Sequence, residues 1–266
     1  MQWEEIKLNK KVAKIAIDYI KPFAFIVFAI FVIVKVPIFF RPDNLIAVLS
    51  QAAVIGIASI GMTFVILVGG VDLSNGCMIA FAGVIGATIM VNTRNILLSC
   101  VIILLISITG GVINGLSIVK IGMPAFIATL ALGNILRGTA FTYTKAKTVS
   151  GLPKAFTQFS WSKTFGIPNT ILLLAIVFVI AFYLLTFTAY GKRLYAIGDN
   201  PKASKVMGLN VDWVTISAYT ICGICTGIST IILTSCMATA RPAVAENLSL
   251  ECIAAVIIGG ASVKGG

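Results

Sequence analysis

The stretch ILLLAIVFVIAFYLLTF, residues 171–187, has thirteen Leu, Ile, Val or Phe in its length and no charge. Each such side chain favours the bilayer centre by about 0.3–0.6 kcal/mol, so insertion as a helix is favoured by roughly 5 kcal/mol. Working outward, comparable runs recur at Phe23–Phe40, Leu45–Val68, Leu73–Val91, Ile96–Val119, Pro124–Phe141, Thr170–Thr188, Val214–Met237 and Cys252–Gly260. A crossing needs about 20 apolar residues, which predicts up to eight crossings. The expected fold is all-α, a polytopic transmembrane helix bundle forming one membrane domain over residues 1–266.

Composition agrees. Hydrophobic residues make up 59% of the chain and charged ones 11%, where a soluble domain has about 45–50% and about 25%. The net charge of +11 does not point to nucleic acid, because the basic residues sit at the N-terminus and in loops rather than along one stripe. Basic loops are what membrane topology and anionic lipid select. The chain has no histidine, which removes the usual zinc and haem ligand and the commonest general base. Six cysteines lie almost wholly in apolar runs, and the Cys222–Cys225 CxxC reads as packing thiols rather than a redox pair. No cleavable leader is expected: the first 21 residues carry five lysines and two glutamates, and the next apolar run reads as a signal-anchor.

Lysines between residues 7 and 21 predict a cytoplasmic N-terminus, and counting crossings then places Tyr190–Asp212 inside and Thr144–Asn169 outside. Parity carries this more than charge, since Lys145, Lys147, Lys154 and Lys163 fall outside. Gly111 with Gly115, and Gly223 with Gly227, form GxxxG pairs within spans. They predict close helix packing, with a path lined by small residues as the alternative.

Two stretches interrupt the apolar pattern. The first is GGVDLSNG, residues 69–76, where Asp72 beside hydrocarbon needs a helix N-terminus, water or a hydrogen-bonding partner. Its simplest role is the N-cap of the next helix. The second is YGKRLYAIGDNPKASKVMGLNV, residues 190–211, the one long polar bend between spans. Gly191 can stop the preceding helix, and Asn200-Pro201 can start a short one that puts Ala203, Val206 and Met207 on one face. That face is either a solvated connector or a docking surface for a cytoplasmic partner.

Four blocks together resemble the permease subunits of ribose-type sugar ABC importers: GMTFVILVGGVDLSNG (61–76), PAFIATLALGNILRG (124–138), GKRLYAIGDNPKASKVMGLNV (191–211) and IAAVIIGGASVKGG (253–266). The resemblance implies a homodimeric pore in the inner (plasma) membrane of a prokaryote. Sugar arrives from an extracytoplasmic binding protein, and cytoplasmic ATPase subunits couple through the loop matching Gly191–Val211. Asp72, Leu73, Ser74 and Gly76 match the signature after the second span, and Arg137 and Gly138 the close of the fifth. Gly191, Tyr195, Gly198, Asn200, Ala203, Met207 and Gly208 match the ATPase-coupling loop.

The chain also departs from that pattern. A GxGxEL segment is expected before the IAAV block, whereas residues 245–250 read AENLSL, with Ser249 where the glutamate belongs. Asn75 and Cys77 stand where small apolar or hydroxyl residues are common. These changes bear on outer-gate geometry and sugar identity. The end at Gly266 is expected to be a C-terminal truncation, with about eight segments here against about ten in full-length relatives.

No GxxxxGK[ST] occurs, so the chain lacks that phosphate cradle and its driving energy must come from a partner. A neutral sugar calls for hydroxyls and amides along its path, and Gln51, Ser59, Thr63, Asn114, Asn134, Ser217, Thr220 and Thr226 are the polar candidates inside spans. Each could instead bond a neighbouring helix or its own backbone. Arg137 is placed to snorkel to the interface or to serve a gate, and Arg241, Glu246 and Glu251 to meet the binding protein. No metal or cofactor is expected, and no catalytic constellation is visible. The competing reading is an ion-coupled secondary transporter, for which Asp72 and Glu251 are the available carboxylates.

Overall fold

A computed structural model describes residues 26–262 and Gly265. The lysine-rich 7–21 segment, the start of the first expected span and residues 263, 264 and 266 lie outside the described residues. Contacts divide the chain into two units, Met1–Leu49 and Ser50–Gly266. Over its described residues the first holds α1 (Ile26–Lys35), a 3-10 turn at Pro37–Phe40 and the start of α2 (Pro42–Leu67). Pro42 sits at the first helical position, where its missing N–H costs nothing, and Asn44 Nδ2 donates to the Phe39 carbonyl at 2.8 Å.

The second unit continues α2 and adds α3 (Asn75–Thr93), α4 (Ile96–Val119), α5 (Ala125–Thr144), α6 (Lys154–Phe159), α7 (Asn169–Phe187), α8 (Ala189–Asp199), α9 (Pro201–Val206), α10 (Val211–Met237) and α11 (Leu248–Ile258). A two-stranded hairpin, β1 (Lys163–Thr164) with β2 (Ile167–Pro168), precedes α7. Six helices are long and apolar enough to cross a membrane: α2, α3, α4, α5, α7 and α10, with 19 to 27 residues each. The expectation of eight crossings is therefore corrected to six among the described residues. α1 and α11 are apolar, but their 10 and 11 residues rise only about 15–17 Å, half the hydrocarbon thickness. The boundaries of α4 match the expected span residue for residue.

The two GxxxG pairs meet each other. A Cβ added at Gly115 would lie 2.9 Å from Ile216 Cα of α10, and one at Gly227 would lie 3.0 Å from Leu104 Cδ2 of α4. Cβ atoms at Gly111 and Gly223 would run into the backbone carbonyls of Tyr219 and Ser107. The glycines thus let α4 and α10 approach backbone to backbone, which is the packing reading rather than the path reading. On the other side of α10, Gly61 of α2 does the same: its Cβ would lie 2.7 Å from Cys225 Cβ. Cys222 and Cys225 are free thiols buried in these contacts.

The core between α2, α3, α10 and α11 is built from Ile57, Met62, Ile66, Ile79, Ile232 and Cys252. α7, by contrast, buries only Asn169, Thr170 and Ala181 and turns Phe178, Val179, Ile180 and Phe182 outward. Such an apolar exterior suits lipid. At one end of the bundle Lys120 pairs with Asp212 at 3.4 Å. At the other, the Arg94 guanidinium donates to the Gly151 carbonyl at 3.1 Å and Val149 bridges Ala240.

Gly191 does not end α7. Thr188 does, in extended conformation, and its hydroxyl accepts from Gly191 N at 3.3 Å to cap α8. Gly191 lies inside α8 because that helix folds against the last turn of α7, where a Cβ would meet Leu185 Cα at 2.7 Å.

Candidate functional site

Three features stand out: a polar turn inside the bundle, a cavity at one end and an exposed helical bend at the other.

The turn is residues 68–74, between α2 and α3. α2 closes on Gly69 at φ 76°, with Gly69 N donating to Ile66 O and Gly70 N to Val65 O, both at 2.9 Å, a Schellman closure. The chain then runs back into the bundle, and α3 starts level with the middle of α10. There Thr226 Oγ1 donates to Asn75 Oδ1 at 3.0 Å, and the Asn75 amide lies 3.5 Å from Cys222 Sγ. Asp72 is not the N-cap of α3; Ser74 holds that position. The Asp72 carboxylate instead accepts from Ser74 N at 2.8 Å and Ser74 Oγ at 2.6 Å, and Asn114 Nδ2 of α4 donates to Ser74 Oγ at 2.9 Å. The helix start is finished from far away: Ser249 Oγ of α11 accepts from Gly76 N and donates to the Leu73 carbonyl, each at 3.1 Å. Tyr219 of α10 donates to the Val71 carbonyl at 3.3 Å. Asp72, Ser74, Asn75 and Asn114 are all at most 2% exposed, and these bonds offset the cost of burying them, Asn114 Oδ1 alone of their buried side-chain oxygens and nitrogens having no partner among the described residues.

Of the expected path residues, Asn114 and Thr226 therefore join the signature residues Asp72, Leu73, Ser74 and Gly76. The others do not gather there. Thr63 and Thr220 bond their own helices, at 2.9 Å to Ser59 O and 2.8 Å to Ile216 O. Ser59 faces Cys252. Ser217 contacts the Tyr190 hydroxyl at 2.9 Å. Asn134 is exposed on α5.

Gln51 lines the cavity, which holds about 680 Å³. Its walls are Ser50, Gln51, Val54 and Ile55 of α2, Leu233 and Met237 of α10, the 243–247 loop with the start of α11, and Trp161. Arg137 of α5 forms an ion pair with Glu246 in that loop. Gly138 beside it has open space around it. In the same loop Ala245 adopts φ 60°, a left-handed conformation that favours glycine. This is one of the places where the GxGxEL pattern has lost a glycine.

The bend is α8–α9. Asn200 Oδ1 accepts from Ala203 N at 3.0 Å and Pro201 opens α9, as that dipeptide predicts. Ser204 is buried and donates to the Ala196 carbonyl at 2.9 Å, folding α9 onto α8. Gly208, at φ 80°, ends α9. Gly191 and Gly198 are buried, whereas Tyr195, Ala203, Val206 and Met207 face outward, with Val206 89% and Met207 68% exposed. Behind this surface Tyr190 stacks on Phe64 of α2 at 6.5 Å and meets Trp213 of α10 edge-on at 6.0 Å.

Sequence reading gave Cys222 as a packing thiol, as the structure has it, but missed its contact with Asn75 and the roles of Tyr219 and Trp161. A polar residue in an apolar span is visible, but its partner 147 residues away in the chain is not.

A family model described as "Branched-chain amino acid transport system / permease component" matches residues 44–266. The ribose import permease protein of Haemophilus influenzae is 36% identical over 234 residues, 86% of this chain and 72% of that protein. The one from Bacillus subtilis is 37% identical over 243 residues, 90% of this chain and 76% of that protein. The L-arabinose ABC transporter permease protein of Azospirillum brasilense is 31% identical over 231 residues, 87% and 68% of the two chains. No solved structure matches. With six helices among the described residues long and apolar enough to cross a membrane and a family match over residues 44–266, the chain belongs to this permease-component family: it is a non-enzymatic, multi-pass inner-membrane subunit of an ABC importer, which works with an ATPase and a binding protein.

Proposed function

We propose that the chain forms the translocation path for a monosaccharide, ribose or a similar sugar, as one of two identical copies surrounded by membrane lipid and acting as one permease domain over residues 1–266. The sugar reading rests on the relatives, whose names are ribose, L-arabinose and D-allose permeases. The cytoplasmic side is that of α8–α9, and the 680 Å³ cavity opens toward the binding protein. Residues 190–212 are the ATPase-coupling segment.

The observation that carries this reading is the outward face of α9. Val206 and Met207 are large apolar side chains left mostly uncovered on a bend capped by Asn200. A solvated connector gains nothing from them, whereas a groove on a partner buries both. Movement of α8 reaches two spans at once, through the Tyr190 contact with Ser217 and its stacking on Phe64. Nucleotide-driven closure of the ATPase then shifts these spans between two packed arrangements.

Met207→Glu tests this. The variant is expected to insert and fold like the wild type while losing the ATPase in detergent co-purification. Retention of the ATPase at wild-type levels by both Met207→Glu and Val206→Glu would overturn the assignment of the bend.

A further inference from the structure

Gln51, Asn247 and Glu251 all face the cavity, and none of their side chains has a partner among the described residues. Their depth can be read from neighbouring bonds. Ser229 Oγ of α10 donates to the Val54 carbonyl at 2.9 Å, and the Cys252 thiol faces the Ile55 carbonyl at 3.8 Å. Glu251 therefore lies level with Ser229, about 12 Å from the Met237 end of α10 at 1.5 Å per residue. A carboxylate at that depth is strongly disfavoured against lipid and belongs in a water-filled space.

Trp161, 60% exposed, presents its ring at the rim. Among the described residues no lysine or arginine lines the cavity, and Glu246 is already paired with Arg137 of α5. We infer that this cavity is a binding site for a neutral polyhydroxylated solute. Glu251 accepts from its hydroxyls, Gln51 and Asn247 both donate and accept, and Trp161 covers its C–H face. A free amino acid, the cargo in the family's description, would bring a carboxylate beside Glu251 with no cation among the described lining residues to receive it. The inference rests on the proposed importer function and says where in the permease the sugar is held.

The test uses the full chain in nanodiscs of phosphatidylethanolamine and phosphatidylglycerol, with saturation-transfer NMR for D-ribose and L-leucine. Ribose is expected to bind and leucine not. Glu251→Gln should weaken ribose about tenfold, the loss of one charge-assisted hydrogen bond, and Trp161→Leu should abolish the signal from the sugar C–H protons. Both variants should unfold like the wild type. If Glu251→Gln does not fold, Trp161→Leu at the exposed rim decides alone. Ribose binding that neither variant changes overturns the site and leaves the sugar reading standing. Leucine binding in place of ribose overturns both. Absence of any binding overturns the site, and ribose uptake by the assembled importer then decides the sugar reading separately.

Discussion

Replacing Gly223 with alanine places one carbon where α4 and α10 touch. The new Cβ would run into the Ser107 carbonyl oxygen, with the carbonyl carbon 3.1 Å and Ile108 Cα 3.3 Å away. These neighbours are backbone, so no side-chain rotation relieves the contact and the helices must separate along the seam. Overpacking of this kind costs about 1–3 kcal/mol, while alanine regains about 1 kcal/mol of helix propensity over glycine. The net expectation is a loss of up to about 2 kcal/mol. Gly138 on α5 is the internal control: a Cβ there has nothing within 4 Å, so Gly138→Ala keeps the propensity term and gains about 0.5–1 kcal/mol. Reversible unfolding in mixed micelles, followed by circular dichroism, should show the two variants shifting in opposite directions. If Gly223→Ala gains stability to the same extent as Gly138→Ala, the new Cβ meets no backbone, the two glycine pairs do not face each other and this α4–α10 packing is wrong.

Ala245→Gly should stabilise the chain by about 1 kcal/mol, because it relieves a left-handed backbone at a non-glycine residue; the same unfolding assay checks it. Ser249→Ala removes the partner of Gly76 N and of the Leu73 carbonyl, and should cost about 1–3 kcal/mol and speed hydrogen exchange at the Gly76 amide. Thr220→Ala, which loses only a bond to its own helix, should change stability by less than about 0.5 kcal/mol. Arg137→Gln breaks an ion pair whose partners are 32% and 53% exposed; it should cost under about 1 kcal/mol, and the difference from wild type should shrink in high salt.

What could be read from the sequence follows the range of the physics involved. Span positions depend on local hydrophobicity, so α4 and α10 were legible to within a few residues, as was the capped start of α9 at Asn200. The count of crossings was not, because a short apolar run cannot declare whether it spans or stops half-way: α11 begins inside the bundle, held there by Ser249. The role of Gly191 was misread for a related reason. Glycine can end a helix or admit a close neighbour, and only the position of Leu185 decides between the two. The polar spans were visible as a set, yet their division into self-bonded threonines, turn partners such as Asn114 and cavity residues such as Gln51 needs coordinates.

The polar turn constrains how the bundle can move. Leu73, Ser74 and Asn75 are tied to α11 by Ser249, to α4 by Asn114 and to α10 by Thr226. Withdrawing any one helix alone would leave buried donors or acceptors unpaired, at about 1–3 kcal/mol for each group. Two helices leaving together would forfeit more, since α4 and α10 also share the glycine seam. The inexpensive displacement is one in which the turn and the three helix segments holding it travel as a body. The 243–247 loop bends against them, because its outer tie is an exposed ion pair worth little to stability. Glu246 belongs to both that loop and the cavity wall. If residues 190–212 couple to the ATPase as proposed, a push delivered at Tyr190 on the opposite end meets a stiff middle and a soft rim, and the volume expected to change is the one lined by Gln51, Asn247 and Glu251.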